Sequence, residues 1–403
     1  MKGRQHGCRP FFIYLVYFCS VKQRILLFDT ILDGHHPAYL IHLIGYYSTQ
    51  PDVELIVVTG EEFQINFAKR QTSEQLRWGE NVRFYPIDSA TIQSLHASPI
   101  YLRSIREWNM VVDIVHELEV SHAVLMYVDY FPLGVLFGKK LPVPVSGISF
   151  RPPQKPTGVF EFMKRKLWQA MLSSGQISQI FSIVHSAVPV MNHLSTYAKV
   201  TPLADPVVHL PLTAQQKSDF RLNCDIAKNK KVYLNFGQLD QRKGIEAFVA
   251  ACKLLTPKDL SGICLLLAGP IELSYALELD VLFQEIPNLQ VVKLYDYHNY
   301  PTVELCFDLA DVVLVTYQDH LGMSSVLVRA ALAGKPVIGT RVGTIGLTIQ
   351  EYHLGLAIDP LDDVEYADAI KSKIKTDPMK QADLAHQNSV EAFVLTIAKG
   401  IES

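Results

Sequence analysis

The strongest constraint on the fold of this chain is an alternation that begins at Arg24. "RILLFD" (24–29), "VELIVVTG" (53–60), "VRFYPI" (82–87), "HAVLMYV" (122–128) and "VPVSGI" (143–148) are brief apolar runs, β-branched or aromatic, bounded by polar residues, Gly or Pro. Such runs read as buried strands. Helix-length stretches separate them, among them "PAYLIHLIGYYS" (37–48) and "SIREWNMVVDIVHELEV" (104–120). Strand–helix alternation gives parallel sheets joined by right-handed crossovers. At 201–213, "TPLADPVVHLPLT" breaks the pattern with Pro202, Pro206 and Pro211 and reads as a linker. The alternation then restarts with "KVYLNFG" (231–237), "ICLLLAG" (263–269), "LQVVKLY" (289–295), "DVVLVTY" (311–317), "KPVIGT" (335–340) and "LGLAID" (354–359). The expected class is α/β, with two doubly wound, Rossmann-like domains facing across a cleft. The expected division is an extension at 1–22, a first domain at 23–205, a second at 206–378 and a last helix at 379–403 crossing back.

A chain of 403 residues is long enough for two such cores. With 49% hydrophobic and 19% charged residues it is not a disordered polymer. A net charge of −3 supplies no basic field for nucleic acid. Its six cysteines are scattered without metal or redox spacing, which suggests buried free thiols in a reducing compartment, hence the cytoplasm. The start, "MKGRQHGCRPFFIYLVYFCS", has an apolar run from Phe11 to Cys19, too short to span a bilayer. It reads as an extension or as the core of a signal peptide with a poor cleavage site.

In open parallel sheets ligands bind beyond the carboxyl ends of the strands, so chemistry is sought in the loops there. In "FGQLDQRKGIEAF" (236–248), Gly237 ends a strand, and Arg242 and Lys243 precede a helix, a setting suited to a diphosphate or to a solvated basic turn. In "YQDHLGMSSVLVRAALAGKP" (317–336), Gly322 and Met323 lead to Ser324 and Ser325, either of which can cap the following helix. The first amides of that helix then suit a phosphate. Arg329 falls on the same helical face, where it either meets a phosphate or pairs with Asp311 or Asp319. In "GTRVGTIG" (339–346), Gly343 permits close approach to a ligand or simply makes the turn. In the first domain, His35 and His36 follow Gly34 at a helix start, placed for acceptor contact or proton transfer. Asp129 lies past a strand end, to orient a sugar hydroxyl or cap the next helix. No His-x-x-x-His, cysteine cluster or paired Asp motif points to a metal.

At these residues the chain resembles the retaining glycosyltransferases with two Rossmann-like domains, the GT-B class, and within them the large family 4, or group 1, transferases. The resemblance rests on "VYLNFGQLDQRKGIEAFVAAC", "FDLADVVLVTYQDHLGMSSVLVRAALAGKPVIGT", "LGLAIDPLD" and the hinge-like "ADPV". It implies transfer of a sugar from a nucleotide-sugar with retained anomeric configuration, with no cofactor required. The family's donor site usually carries two glutamates where this chain has Leu321 and Arg329, and the second normally holds the ribose hydroxyls. Gln238 stands where an arginine is usual, and Thr348 near a usual acid.

The expected activity is therefore a glycosyltransferase whose donor contacts Gly237, Arg242, Lys243, Gly322, Met323, Ser324, Ser325, Arg329 and Gly343. The acceptor, a glycan, lipid or small molecule, would lie against His35, His36 and Asp129. The alternative is a non-catalytic nucleotide-sugar-binding or partner protein on the same fold. An epimerase would need an acid–base pair that the donor loops lack. "GVFEFMKRKLWQAML" (158–172) mixes Phe160, Phe162, Trp168 and Met171 with Lys164, Arg165 and Lys166, which suits either a peripheral contact at the inner membrane surface or a helix with one buried face.

Overall fold

The structure, a computed structural model, describes residues 23–31, 36–66, 79–153, 158–296, 299–318 and 324–402. The expected extension, His35, Gly322, Met323, Asp319 and Leu321 lie outside these residues.

Among the described residues, the first sheet is built from β1 (Gln23–Asp29), β2 (Val53–Gly60), β3 (Val82–Ile87), β4 (His122–Leu125), β5 (Val145–Ser149), β6 (Gln179–Ser182) and β7 (Lys199–Pro202). Their order is β3-β2-β1-β4-β5-β6-β7, and every neighbouring pair is parallel. The second sheet contains β8 (Lys231–Phe236), β9 (Ile263–Ala268), β10 (Gln290–Leu294), β11 (Val312–Val315), β12 (Val337–Thr340) and β13 (Gly355–Ile358). Its order is β10-β9-β8-β11-β12-β13, again all parallel.

The central strands are largely apolar because helices cover both faces of each sheet. Side chains alternate across a strand. Leu26 and Phe28 enter a core with Trp108 and Val111, while Ile25 and Leu27 enter one with Tyr39 and Leu40 on the other face. In the second sheet, Tyr233 joins Phe248 and Leu265, while Val232 and Leu234 join Phe307 and Leu327. The expected α/β class with two doubly wound sheets is the one observed.

The helix Val390–Glu402 returns to the first sheet, where Phe393, Ile397 and Ile401 share a core with Tyr39 and Leu40. Each such burial stabilises by roughly 1.5–3 kcal/mol. The linker is fastened at the same place. Tyr39 Oη donates to Asp205 at 2.7 Å, and the Asp205 and Val207 amides donate to the side chain and carbonyl of Asn388, each at 3.1 Å.

Candidate functional site

Both strand orders reverse direction next to the first strand of the sheet. The reversal falls between β1 and β4 in one sheet and between β8 and β11 in the other. At such a point the loops diverge to opposite faces and leave a crevice at the carboxyl edge.

In the second domain the loops after β8 and β11 converge there. Gly237, at φ 103°, leaves β8, and a Cβ on it would lie 3.1 Å from Lys243 Nζ. Glycine therefore makes the space in which the ammonium sits. Gly244, at φ 68°, caps the helix Ile245–Cys252 and abuts the Thr316 carbonyl after β11. Lys243 is buried rather than displayed on a solvated turn. Its Nζ donates to the Phe236 carbonyl at 2.7 Å and to Tyr317 Oη at 2.8 Å, and lies 4.3 Å from the Tyr317 ring centroid. An ammonium has three donors, so these two bonds leave one N–H. Ser324 Oγ donates to Tyr317 Oη at 3.2 Å and accepts from the Val326 amide at 3.3 Å. Of the two candidate caps, Ser324 is the one that starts the helix Ser325–Leu332. Lys243, Tyr317 and Ser324 thus form one polar chain across the reversal point. Arg242 flanks it, half-exposed, 5.5 Å from the Tyr317 ring centroid and 3.6 Å from Asp240. Gly343, at φ 72°, opens the helix Gly343–Glu351 beyond β12, and that helix has no side-chain cap.

Arg329 has no ion pair with Asp311. Asp311 accepts instead from the Val232 amide at 2.8 Å, and Asp319 is among the residues not described. Among the described residues Arg329 pairs with Glu304, on the helix Tyr300–Leu309, at 3.7 Å. Glu304 also meets His209 Nδ1 of the linker at 3.0 Å.

In the first domain, Asp29 closes β1 and its Oδ2 meets His36 Nδ1 at 2.7 Å, while Oδ1 accepts from the Ile31 amide. The imidazole is stacked 5.5 Å from Phe150 and lies 5.2 Å from Tyr127. Burial raises the Asp29 carboxyl above its usual range, partly offset by His36. Beside it, Glu107 is buried and accepts from Thr30 Oγ1 and Arg103 Nε, both at 2.8 Å. Asp129 is committed to its neighbours. It accepts from Ser149 Oγ and from the Phe150 and Arg151 amides, so it fixes the loop that presents Phe150 to His36. It does not cap the following helix, whose N-cap is Phe131. Burial raises its carboxyl as well.

The helix Val159–Leu172 divides along its length. Trp168 and Met171 are core residues, whereas Phe160 and Phe162 are 77% and 52% exposed. A membrane-facing role for Trp168 and Met171 is therefore corrected, because both fill the first core. No described helix is long and apolar enough to cross a membrane. Among the described residues no group of three or more His, Cys, Asp or Glu side chains is placed to hold a metal ion.

Residues that the sequence reading did not single out complete both crevices: Asp29, Arg103 and Glu107 in one, Tyr317 and Glu304 in the other. An acid closing an apolar run marked Asp29, and an Arg–Glu pair four apart on an apolar helix face marked Arg103 and Glu107.

With the geometry in place, comparisons locate the second crevice among known proteins. Residues 216–389 match the family model for glycosyl transferases group 1. A D-inositol 3-phosphate glycosyltransferase of Corynebacterium diphtheriae is 25% identical over 188 residues, covering 46% of this chain and 44% of that protein. Its counterpart in Corynebacterium urealyticum is 26% identical over 198 residues, 47% and 46% of the two chains. The matched region is thus about half the length of these curated relatives. Among solved structures, Anabaena Alr3699/HepE in complex with UDP and glucose superposes with TM-score 0.68 at 16% identity, covering 94% of this chain and 99% of that one. WaaG, a glycosyltransferase involved in lipopolysaccharide biosynthesis, gives TM-score 0.63 at 12% identity, covering 94% and 99%. At these identities the structural likeness establishes the two-domain GT-B-like fold.

Proposed function

We propose that the protein is a glycosyltransferase that takes a sugar from a nucleotide-sugar and retains its anomeric configuration. The observation that carries this reading is the Lys243–Tyr317–Ser324 chain at the reversal point of the second sheet, inside the group 1 match. As the glycosidic bond to the donor breaks, the departing diphosphate gains negative charge. Lys243 supplies a fixed positive charge with an N–H to spare, the first amides of the helix Ser325–Leu332 supply aligned donors, and Arg242 adds a second cation. These groups are already in place before the reaction, so little reorganisation is needed. The reading requires no metal or other cofactor, since cationic side chains and amides do the charge stabilisation. HepE is complexed with UDP and glucose, which supports a uridine or related nucleotide-sugar as donor.

On this reading the acceptor hydroxyl sits in the first crevice against His36, whose imidazole is oriented by Asp29 through Nδ1. The acceptor is a glycan, a lipid or a small molecule. We place the protein in the cytoplasm, in keeping with the buried free thiols Cys252, Cys264 and Cys306. The exposed first turn of the helix Val159–Leu172, with Lys164, Arg165 and Lys166 beyond it, suits peripheral contact with an inner membrane surface.

The test is thermal denaturation with UDP, GDP, ADP and TDP. A ligand that binds the folded state raises the midpoint according to its affinity and concentration. One nucleotide should shift the wild type, and Lys243→Ala should weaken it by roughly 10- to 100-fold, the usual size of a charge-assisted hydrogen bond. A wild type that none of them shifts would favour the non-catalytic partner instead.

A further inference from the structure

We infer that the outward face of the helix Leu273–Gln284 is a surface through which two copies of this chain associate, an inference independent of the nucleotide-sugar reading above. The helix connects β9 to β10, the strand at one edge of the second sheet. Its inward residues Tyr275, Ala276 and Leu279 are buried. At 3.6 residues per turn the opposite face falls on Leu273, Ser274, Leu277, Val281 and Gln284. An edge helix ordinarily turns polar residues to water there. Instead Leu273, Leu277 and Val281 are 74%, 58% and 61% exposed. They recur every four residues and so form one ridge, which can interdigitate with an identical ridge. Scattered exposed leucines need no explanation, but a contiguous apolar stripe marks a contact surface.

The charges around the stripe select the partner. The exposed apolar turn of the helix Val159–Leu172 is followed by Lys164, Arg165 and Lys166, whereas this stripe is flanked by the exposed acids Glu272 and Glu278. An anionic bilayer would be repelled. The stripe itself carries no charge, so two of them can meet without like charges in contact. At its sides each copy presents both signs: Asp280 pairs with Lys293 of β10, and Glu285 pairs with Lys253 at the end of the helix Ile245–Cys252. Glu272 stands at the start of the stripe and the Lys253–Glu285 pair at its end. An antiparallel pairing about a twofold axis at Leu277 therefore brings the acid at one end of a copy toward the lysine at the other end of its mate. It also sets the two helix dipoles in opposition, which is favourable. A parallel pairing would set Glu272 against its own counterpart. One patch meeting itself about a twofold axis is the geometry of a symmetric dimer.

The experiment is sedimentation of the full chain over a concentration series, with Leu277→Glu alongside. Three apolar side chains per copy make a contact smaller than the roughly 800 Å² per partner of a standard interface, so dimer should form on the order of 10–100 μM. Leu277→Glu should weaken it by roughly 30-fold or more, the loss of a central anchor. Its melting midpoint should stay unchanged, because the side chain is exposed. Leu277→Cys tests the axis. Packed helices lie about 8–10 Å apart, which leaves two facing Cα atoms within disulfide reach. Mild oxidation should link Leu277→Cys copies well beyond the wild-type level, and Leu273→Cys copies no further than wild type. A wild type that stays monomeric at about tenfold above the expected range overturns the inference and leaves the stripe to a different protein. A Leu277→Glu chain that dimerises like wild type overturns it as well, since the contact then lies elsewhere. Equal linkage of the two cysteine variants marks chance collision and overturns the twofold pairing.

Discussion

The two crevices occupy equivalent positions in their sheets but use charge differently. The first holds two buried acids, Asp29 met by His36 and Glu107 met by Arg103. The second is built around cations and hydroxyls, with Lys243, Tyr317 and Ser324 in one chain and a buried acid, Glu304, bracketed by Arg329 and His209. A leaving diphosphate needs positive charge, whereas an incoming hydroxyl needs a partner for its proton. The same fold position thus yields opposite chemistry through the loops that the sheets carry.

The largest effect that separates the crevices should come from Arg329→Glu. It puts a second carboxylate beside buried Glu304, and breaking a pair of this kind costs about 3 kcal/mol. The expected outcome is a melting midpoint lower by roughly 5–10 °C. Adding Glu304→Arg, which restores opposite charges, should recover part of it. If the double variant is no better than the single one, the pair is not what holds the second crevice.

A smaller effect should divide function rather than stability. His36→Ala removes the imidazole from the first crevice and leaves the second intact, so transfer should slow by roughly 10²-fold or more while nucleotide affinity stays within about twofold. Steady-state kinetics with a nucleotide titration alongside checks both. Equal loss in the two measurements would mean that His36 acts through the fold and not on the acceptor.

How much of this was legible depended on the range of the interaction. β2 and β3 have the bounds that their apolar runs suggest, and both sheets follow from alternation, because burial on two faces writes itself into contiguous residues. β6, "QIFS", and β7, "KVTP", were not read as strands, being short and partly polar at the margin of the sheet. In the site, local signals served well. Gly237, Gly244 and Ser324 are turn and cap residues whose roles depend on their immediate neighbours. Non-local pairings were not visible. Arg329 with Glu304 joins two helices, and His209 joins the linker to one of them, so no sequence spacing announces either. Lys243 shows both sides of this. Its place after a glycine turn pointed to the phosphate end, but its burial against Tyr317 comes from a loop 74 residues away.

The smallest expected effect also distinguishes the domains. His42 in the first domain is pushed down to about 4 by burial, with Phe393 of the returning helix 6.4 Å away. A histidine whose folded pKa is lowered contributes stability above its unfolded value, near 6.5, and loses it progressively as pH falls toward the folded one. Between pH 7 and pH 6 that loss is about 0.7 kcal/mol for one imidazole. His42→Phe, suited to the apolar surroundings, should abolish this share. The difference in unfolding free energy between variant and wild type should therefore change by that amount across the interval. Taking the difference cancels Asp29 and Asp129, whose raised carboxyls work in the opposite sense. Trp108 and Trp168 are both in the first core, so tryptophan fluorescence reports the domain concerned. Hydrogen exchange in β8 to β12 should show no matching change between the two proteins, because His42 lies on the helix His36–Tyr47 of the first domain, beside Phe393 of the returning helix. A parallel shift in both domains would mean that the returning helix couples their unfolding, and the two crevices would then have to be treated as a single cooperative unit.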